Sequence, residues 1–320
     1  MIQTIGRRMT IMVPQIILLS ILVFLLAKQM PGDALTGLLD PTIDPAAIEA
    51  QRERLGLNNP WYVQYWDWIV NALQGEFGQS FRFKMPVTDL IGERIFNTFW
   101  LSLATLVLTY LIAIPLGIFS GRYNDTLGDR MITGYTYLGF AAPLFIFALL
   151  MLWLFGFKMG WFPTGGSVTP GMVPGTLDHL ISKIYHLLLP ATSMALITTV
   201  TTVQLLRSEI IDIKHREFIH TARAKGASES RIYNRHILRN SLLPIAAFFG
   251  YELTGLIGGT IFIENIFSYP GMGELFFSSI LLRDFSVVVT LILLYGVASI
   301  IGALVSDIIL GLVDPRIRIK

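Results

Sequence analysis

The sequence contains no cysteine. That absence removes disulfides, Cys-ligated zinc and a thiol nucleophile from consideration. Charge is also scarce: Asp, Glu, Lys and Arg make up 14% of 320 residues, against about 25% in a soluble globular domain. The net charge of +2 is too small to suggest a nucleic-acid binder, so no nucleic-acid partner is expected. No Gly-Lys dipeptide occurs anywhere, so the chain lacks the G-x-x-x-x-G-K-[ST] phosphate loop. Five scattered histidines show no metal spacing. No cluster of acid, base and nucleophile stands out, and neither a metal site nor catalytic residues are expected.

What the chain has is apolar length. It is 53% hydrophobic, with a mean hydropathy of +0.61, and the apolar residues come in runs. A spanning helix needs roughly 20 of them. Six runs qualify: Met9 to Ala27, Thr98 to Phe119, Ile132 to Phe157, Leu187 to Leu206, Leu242 to Ile263 and Phe285 to Val305. Five contain no Asp, Glu, Lys or Arg, and the fifth in order holds Glu252. The runs are continuous rather than alternating, so the expected fold class is all-α integral membrane protein with six transmembrane helices. Arg7 and Arg8 precede the first run, which is longer than the ~7–15 residues of a signal-peptide core and has no A-x-A-like site after it. A retained helix is expected.

Lys and Arg set the orientation. With the N-terminus inside, the pieces Met1–Arg8, Ser120–Met131, Arg207–Ser241 and the tail after Ser306 hold fifteen of them. The short outside loops hold only Lys158, Lys183 and Arg283. The six in the long stretch 28–97 escape the charge rule because of its length. Both termini are therefore expected in the cytoplasm. The organisation that follows is a first transmembrane helix within 1–30, an extracytoplasmic segment at 31–97, a membrane core at 98–310 with a cytoplasmic loop at 207–241, and a tail at 311–320. The outer segment carries Trp61, Tyr62, Tyr65, Trp66 and Trp68, as expected of a small cap on the headgroups.

The inside loop is longer than two helices need, and loops of that length are usually functional. HREFIHTARAKG (His215–Gly226) favours a helix ended by Gly226. A second stretch, Glu229 to Arg239, puts Ile232, Tyr233, Ile237 and Leu238 on one side. The residues alone leave two readings open: a loop resting on anionic headgroups, or a docking element in which Ala222 and Ala224 permit close approach and the turn needs glycine.

The segment His220-Thr221-Ala222-Arg223-Ala224-Lys225-Gly226 resembles the E-A-A-x-x-x-G loop of bacterial ABC importer permeases, with His220 in place of the first Glu. Further stretches are similar, in order, to the oligopeptide/dipeptide branch: MPGD (Met30 to Asp33), LGLNNP (Leu55 to Pro60), QYWDW (Gln64 to Trp68), GEFGQSF (Gly75 to Phe81), PLGI (Pro115 to Ile118), RHILRNSLLP (Arg235 to Pro244), FSYPGMG (Phe267 to Gly273) and DPRIR (Asp314 to Arg318). The resemblance implies a permease subunit of an ATP-driven peptide importer in a bacterial cytoplasmic membrane. Oligopeptides are its expected cargo, with dipeptides or nickel chelates as the alternative within the family. It further implies as partners a homologous second permease, two ABC ATPases that bind ATP and magnesium, and an extracellular peptide-binding protein, with no cofactor in this chain. His220 to Gly226 would then be the ATPase-coupling loop.

Glu252 is the one charge deep in a run, where charges are costly and face a cavity or a partner. Gly255 and Gly259 share its face and suit close packing. In the sixth run, Gly296, Ser299, Ala303 and Ser306 form a small-residue stripe suited to packing. Thr198, Thr199, Thr201 and Thr202 make the fourth run unusually hydroxylated, although such hydroxyls also bond back to the backbone. Glu252, Thr198 and Thr202 are candidate residues of a translocation path, set against a structural role for the carboxylate. A secondary transporter working without ATP is the rival class. It would be expected to show more intramembrane charges or inverted repeats.

Overall fold

The computed structural model describes residues 2–29, 45–54, 56–80 and 82–313. Side chains are described for these except at 2–5, 45–48, 51, 247–248, 250–251, 253–259, 310 and 312–313. The motifs Met30 to Asp33 and Asp314 to Arg318 lie outside the described residues, and the face of Gly255 and Gly259 lies outside the described side chains.

Twelve helices are present among the described residues, and no strand is. They are α1 (Ile2–Gln29), α2 (Pro45–Arg54), α3 (Trp61–Leu73), α4 (Val87–Arg122), α5 (Leu127–Ala141), α6 (Leu144–Met151), α7 (Leu177–Lys214), α8 (Glu217–Ala224), α9 (Glu229–Arg231), α10 (Arg239–Ile266), α11 (Met272–Leu281) and α12 (Phe285–Val313). Two π-helical stretches, Leu152–Lys158 and Ile232–Leu238, follow α6 and α9.

Four helices contain segments long and apolar enough to cross a membrane: Gly6–Gln29, Val87–Arg122, Leu177–Lys214 and Phe285–Ile309. A fifth span results if α5 and the α6–π stretch count as one. The third apolar run, expected as one helix over 132–157, is in fact broken, with a bend of 108° between Leu127–Ala141 and Leu144–Lys158. The cause is Pro143, whose ring disfavours helical geometry at the residue before it. Ala142 accordingly sits extended at φ −84°, ψ 119°. The run Leu242 to Ile263 falls inside α10.

The chain divides into two compact units. One comprises Phe99–Tyr269 with the chain from Gly302 onward, the other Ile2–Thr98 with Pro270–Ile301. In the first, α7 is the central element, packed against α5, α6 and α10. Small residues bring helices close: Gly117 and Gly121 of α4 face Leu206 and Ile210 of α7, and an added Cβ would come within 2.9 and 2.7 Å of those side chains. This is the small-xxx-small contact that lets apolar helices pack without a hydrophobic driving force. One buried cluster gathers Leu101, Leu152, Leu189, Met194, Ile263 and Phe267. A second gathers Leu206, Ile210, Ile219, Ile232, Ile237 and Ile245.

In the other unit α3 lies on α1. Tyr65 and Ser20 share a hydroxyl hydrogen bond of 2.8 Å, and Phe24 meets Tyr65 edge-on at 5.5 Å. Trp61, Tyr62 and Trp66 remain exposed. Of the stripe on the sixth run, Gly296 packs on Leu19, whereas Ser299 and Ala303 are exposed.

Candidate functional site

The loop between α7 and α10 folds as a short amphipathic helix on a buried underside. Ile219 of α8 is buried and Ala222 half-buried, both in the cluster with Leu206, Ile210, Ile232 and Ile237. Ala222 thus packs on its own chain, and the small residue turned outward is Ala224. Phe218, 44% exposed, lies on the outer face with His220, Thr221, Arg223 and Lys225.

Gly226 closes the helix. Its φ is +78°, a left-handed conformation that only glycine adopts without cost. The Ala227 N–H donates to Ala222 O at 3.2 Å and the Gly226 N–H to Arg223 O at 2.9 Å. These are the paired bonds that satisfy the last carbonyls of a helix in a Schellman cap. No atom lies within 4 Å of where a Cβ at Gly226 would stand, so the turn is open to a partner. Arg223 spans it with two bonds to Glu229, at 2.7 and 3.2 Å, and this guanidinium holds the Glu229 carboxyl below its usual range.

The second loop helix does not stop at Arg239 as expected. It runs from α9 through the π-helical turn into α10 without leaving helical backbone. A π turn shifts the backbone pairing by one residue. Here side chains bond the same carbonyls: Asn240 Nδ2 donates to His236 O at 2.6 Å and Ser241 Oγ to Ile237 O at 3.0 Å. Tyr233 is buried, with the Arg122 guanidinium 4.5 Å above its ring.

Beneath the loop lies a polar cluster that sequence reasoning passed over. Asp129 is buried and takes a two-pronged ion pair from Arg207, at 2.7 and 2.8 Å. It also accepts from Ser120 Oγ and from the Asp125 N–H at 2.8 Å. Lys214 Nζ donates to Gly121 O, Arg122 O and Asn124 Oδ1 at 3.2, 3.1 and 2.6 Å. The ends of α4, α5 and α7 are thus pinned together where the loop begins. A signal was present: Asp129 and Arg207 are opposite charges bordering two apolar runs.

Two of the three candidate path residues, Thr202 of α7 and Glu252 of α10, meet. Thr202 Oγ1 donates to Glu252 Oε1 at 2.7 Å, and the buried Tyr110 hydroxyl lies beside the Glu252 carboxyl. Thr198 does not reach Glu252. It shares a 2.7 Å bond with Thr109 and bonds back to Met194 O and Ala195 O. Among the described residues no group of His, Asp and Glu could hold a metal ion.

Comparison with known proteins gives two family matches. The family described as binding-protein-dependent transport system inner membrane component matches residues 113–319, and its N-terminal counterpart residues 1–104. The chain is 38% identical over 313 residues to the oligopeptide transport system permease protein AppB of Bacillus subtilis, covering 98% of each chain. It is 31% identical over 320 residues to the glutathione transport system permease protein GsiC of Escherichia coli K12, covering all of both. Among solved structures, a chain of the MetNI methionine ABC transporter in an inward-facing conformation is similar in fold. The TM-score is 0.55 at 14% identity, over 70% of this chain and 96% of that one.

Proposed function

The chain belongs to the binding-protein-dependent transport system inner membrane components, permease subunits of ABC importers of the peptide and glutathione group, and from this premise we propose that it imports oligopeptides. In this reading a binding protein delivers the peptide at the outer face, and a homologous second permease completes the pathway. Two ATPases hold ATP and magnesium and drive the cycle. Six spans cross the membrane with both termini in the cytoplasm, α10 being the fifth in chain order. Glu252 and Thr202 line the path, with Thr198 one turn away. The oligopeptide assignment draws its support from AppB, while the glutathione permeases keep a shorter peptide as the second reading.

The observation that carries the proposal is the exposed turn at Gly226, held on a buried underside. A loop anchored by Ile219 and Ala222 moves with the helices beneath it, so an ATPase gripping its outer face would tilt them as a body.

Gly226→Val tests this. A β-branched residue resists the left-handed conformation, at a cost of about 1–3 kcal/mol. It should abolish uptake of a labelled oligopeptide while the permease inserts at normal abundance, and ATPase association should weaken. Gly226→Asn, which tolerates that conformation, should keep most uptake. Wild-type uptake by the valine variant would reject coupling through this turn.

A further inference from the structure

The unit formed by Ile2–Thr98 and Pro270–Ile301 contains a cavity of about 550 Å³ that the transport reading leaves unused. Its position is set by two spans. Phe24, Ala27 and Lys28 come from the last two turns of the apolar segment Gly6–Gln29, and Phe285, Ser286 and Val289 from the start of Phe285–Ile309. The ends of apolar spans mark the boundary between hydrocarbon and headgroups. A cavity lined by two such ends lies at that boundary whichever way the chain is oriented.

The lining matches that position. Phe24 and Val289 are buried apolar side chains, and Trp68 lies 5.9 Å from the Phe24 ring. Lys28 and Arg52 bring positive charge and Glu76 negative. Arg52 is half-buried and already 3.7 Å from Glu49, while Lys28 and Glu76 are exposed. Basic pockets between membrane helices hold anionic lipid headgroups, but a carboxylate in the same wall disfavours a ligand that carries negative charge alone. The chemistry called for is an apolar body with a phosphate and an ammonium at one end.

We propose that this cavity is a phospholipid site selective for a headgroup of the phosphoethanolamine kind. Lys28 and Arg52 take the phosphate, Glu76 the ammonium, and Phe24 and Val289 the first acyl carbons. A free peptide offers paired charges too, but it has no acyl chain to cover an apolar floor at hydrocarbon level.

The test is lipid retention by the purified full-length permease, read by native mass spectrometry after titration with phosphatidylethanolamine or phosphatidylglycerol. The wild-type protein should retain phosphatidylethanolamine about tenfold more than phosphatidylglycerol. Lys28→Ala with Arg52→Ala should lower that retention about tenfold. Glu76→Lys should reverse the preference toward phosphatidylglycerol. If the double variant is not recovered, Lys28→Ala alone, at an exposed position, must still lower retention severalfold. Undiminished retention, an unchanged preference in Glu76→Lys, or displacement of the lipid by trialanine would each overturn the proposal.

Discussion

At the residue scale, Glu252 shows how a carboxylate is kept inside an apolar helix. One oxygen accepts from Thr202 at 2.7 Å, and the carboxyl lies buried beside the Tyr110 hydroxyl. Replacing the group by an amide keeps the acceptor and adds a donor facing the tyrosine oxygen. Glu252→Gln is therefore expected to leave the permease at wild-type abundance while lowering uptake per assembled complex. Glu252→Leu should reduce abundance, because a stranded Thr202 hydroxyl costs about 1–3 kcal/mol. Quantifying the complex in detergent alongside peptide uptake separates the two, and unchanged uptake in Glu252→Gln would remove the residue from the path. The carboxylate was legible in the sequence as a lone charge in an apolar run. Its partner was not, since hydroxyls on a helix also satisfy themselves or pair elsewhere: Thr199 bonds back to Ala195 O at 2.6 Å, Thr198 pairs with Thr109, and Thr202 is the one that reaches Glu252.

At the scale of elements, the ion pair of Asp129 and Arg207 holds α5 to α7 directly beneath the loop. Breaking a buried pair from one side costs about 3–5 kcal/mol. Arg207 keeps 22% exposure, so the lower end of that range applies. Asp129→Asn should lower the unfolding temperature in detergent by several degrees, and adding Arg207→Gln should restore part of the loss. Independent, additive effects would show that the pair does not couple the two helices. Helix positions were largely readable, because continuous apolar length leaves a membrane helix few alternatives. The break at Pro143 was not readable. Pro14, Pro115, Pro190 and Pro244 also lie in the apolar runs, yet each sits inside an unbroken helix. Whether a proline breaks a helix depends on neighbours that re-satisfy the freed carbonyl, and those come from distant parts of the chain. The loop likewise announced its glycine turn, but not that Ala222 faces inward: spacing identifies a face without saying which body lies against it.

At the scale of the whole molecule, the orientation proposed from charge is open to direct measurement. Reporter fusions after Arg122 and Lys214 should read cytoplasmic, and those after Asn58 and Thr169 external. An external signal at Lys214 would overturn the six-span scheme together with ATPase docking. The element that would carry motion between the faces is α7, whose 38 residues extend about 57 Å at ~1.5 Å per residue, nearly twice the hydrocarbon thickness of ~30 Å. A rod of that length is a lever. Rocked by ~10° about its midpoint, it displaces each tip by ~5 Å on the same geometry, in opposite directions. A push at Lys214 arrives at Leu177 reversed in sign. An event felt first on one face would therefore be reported on the other as an inward step answered by an outward one, with no intermediary beyond the helix itself.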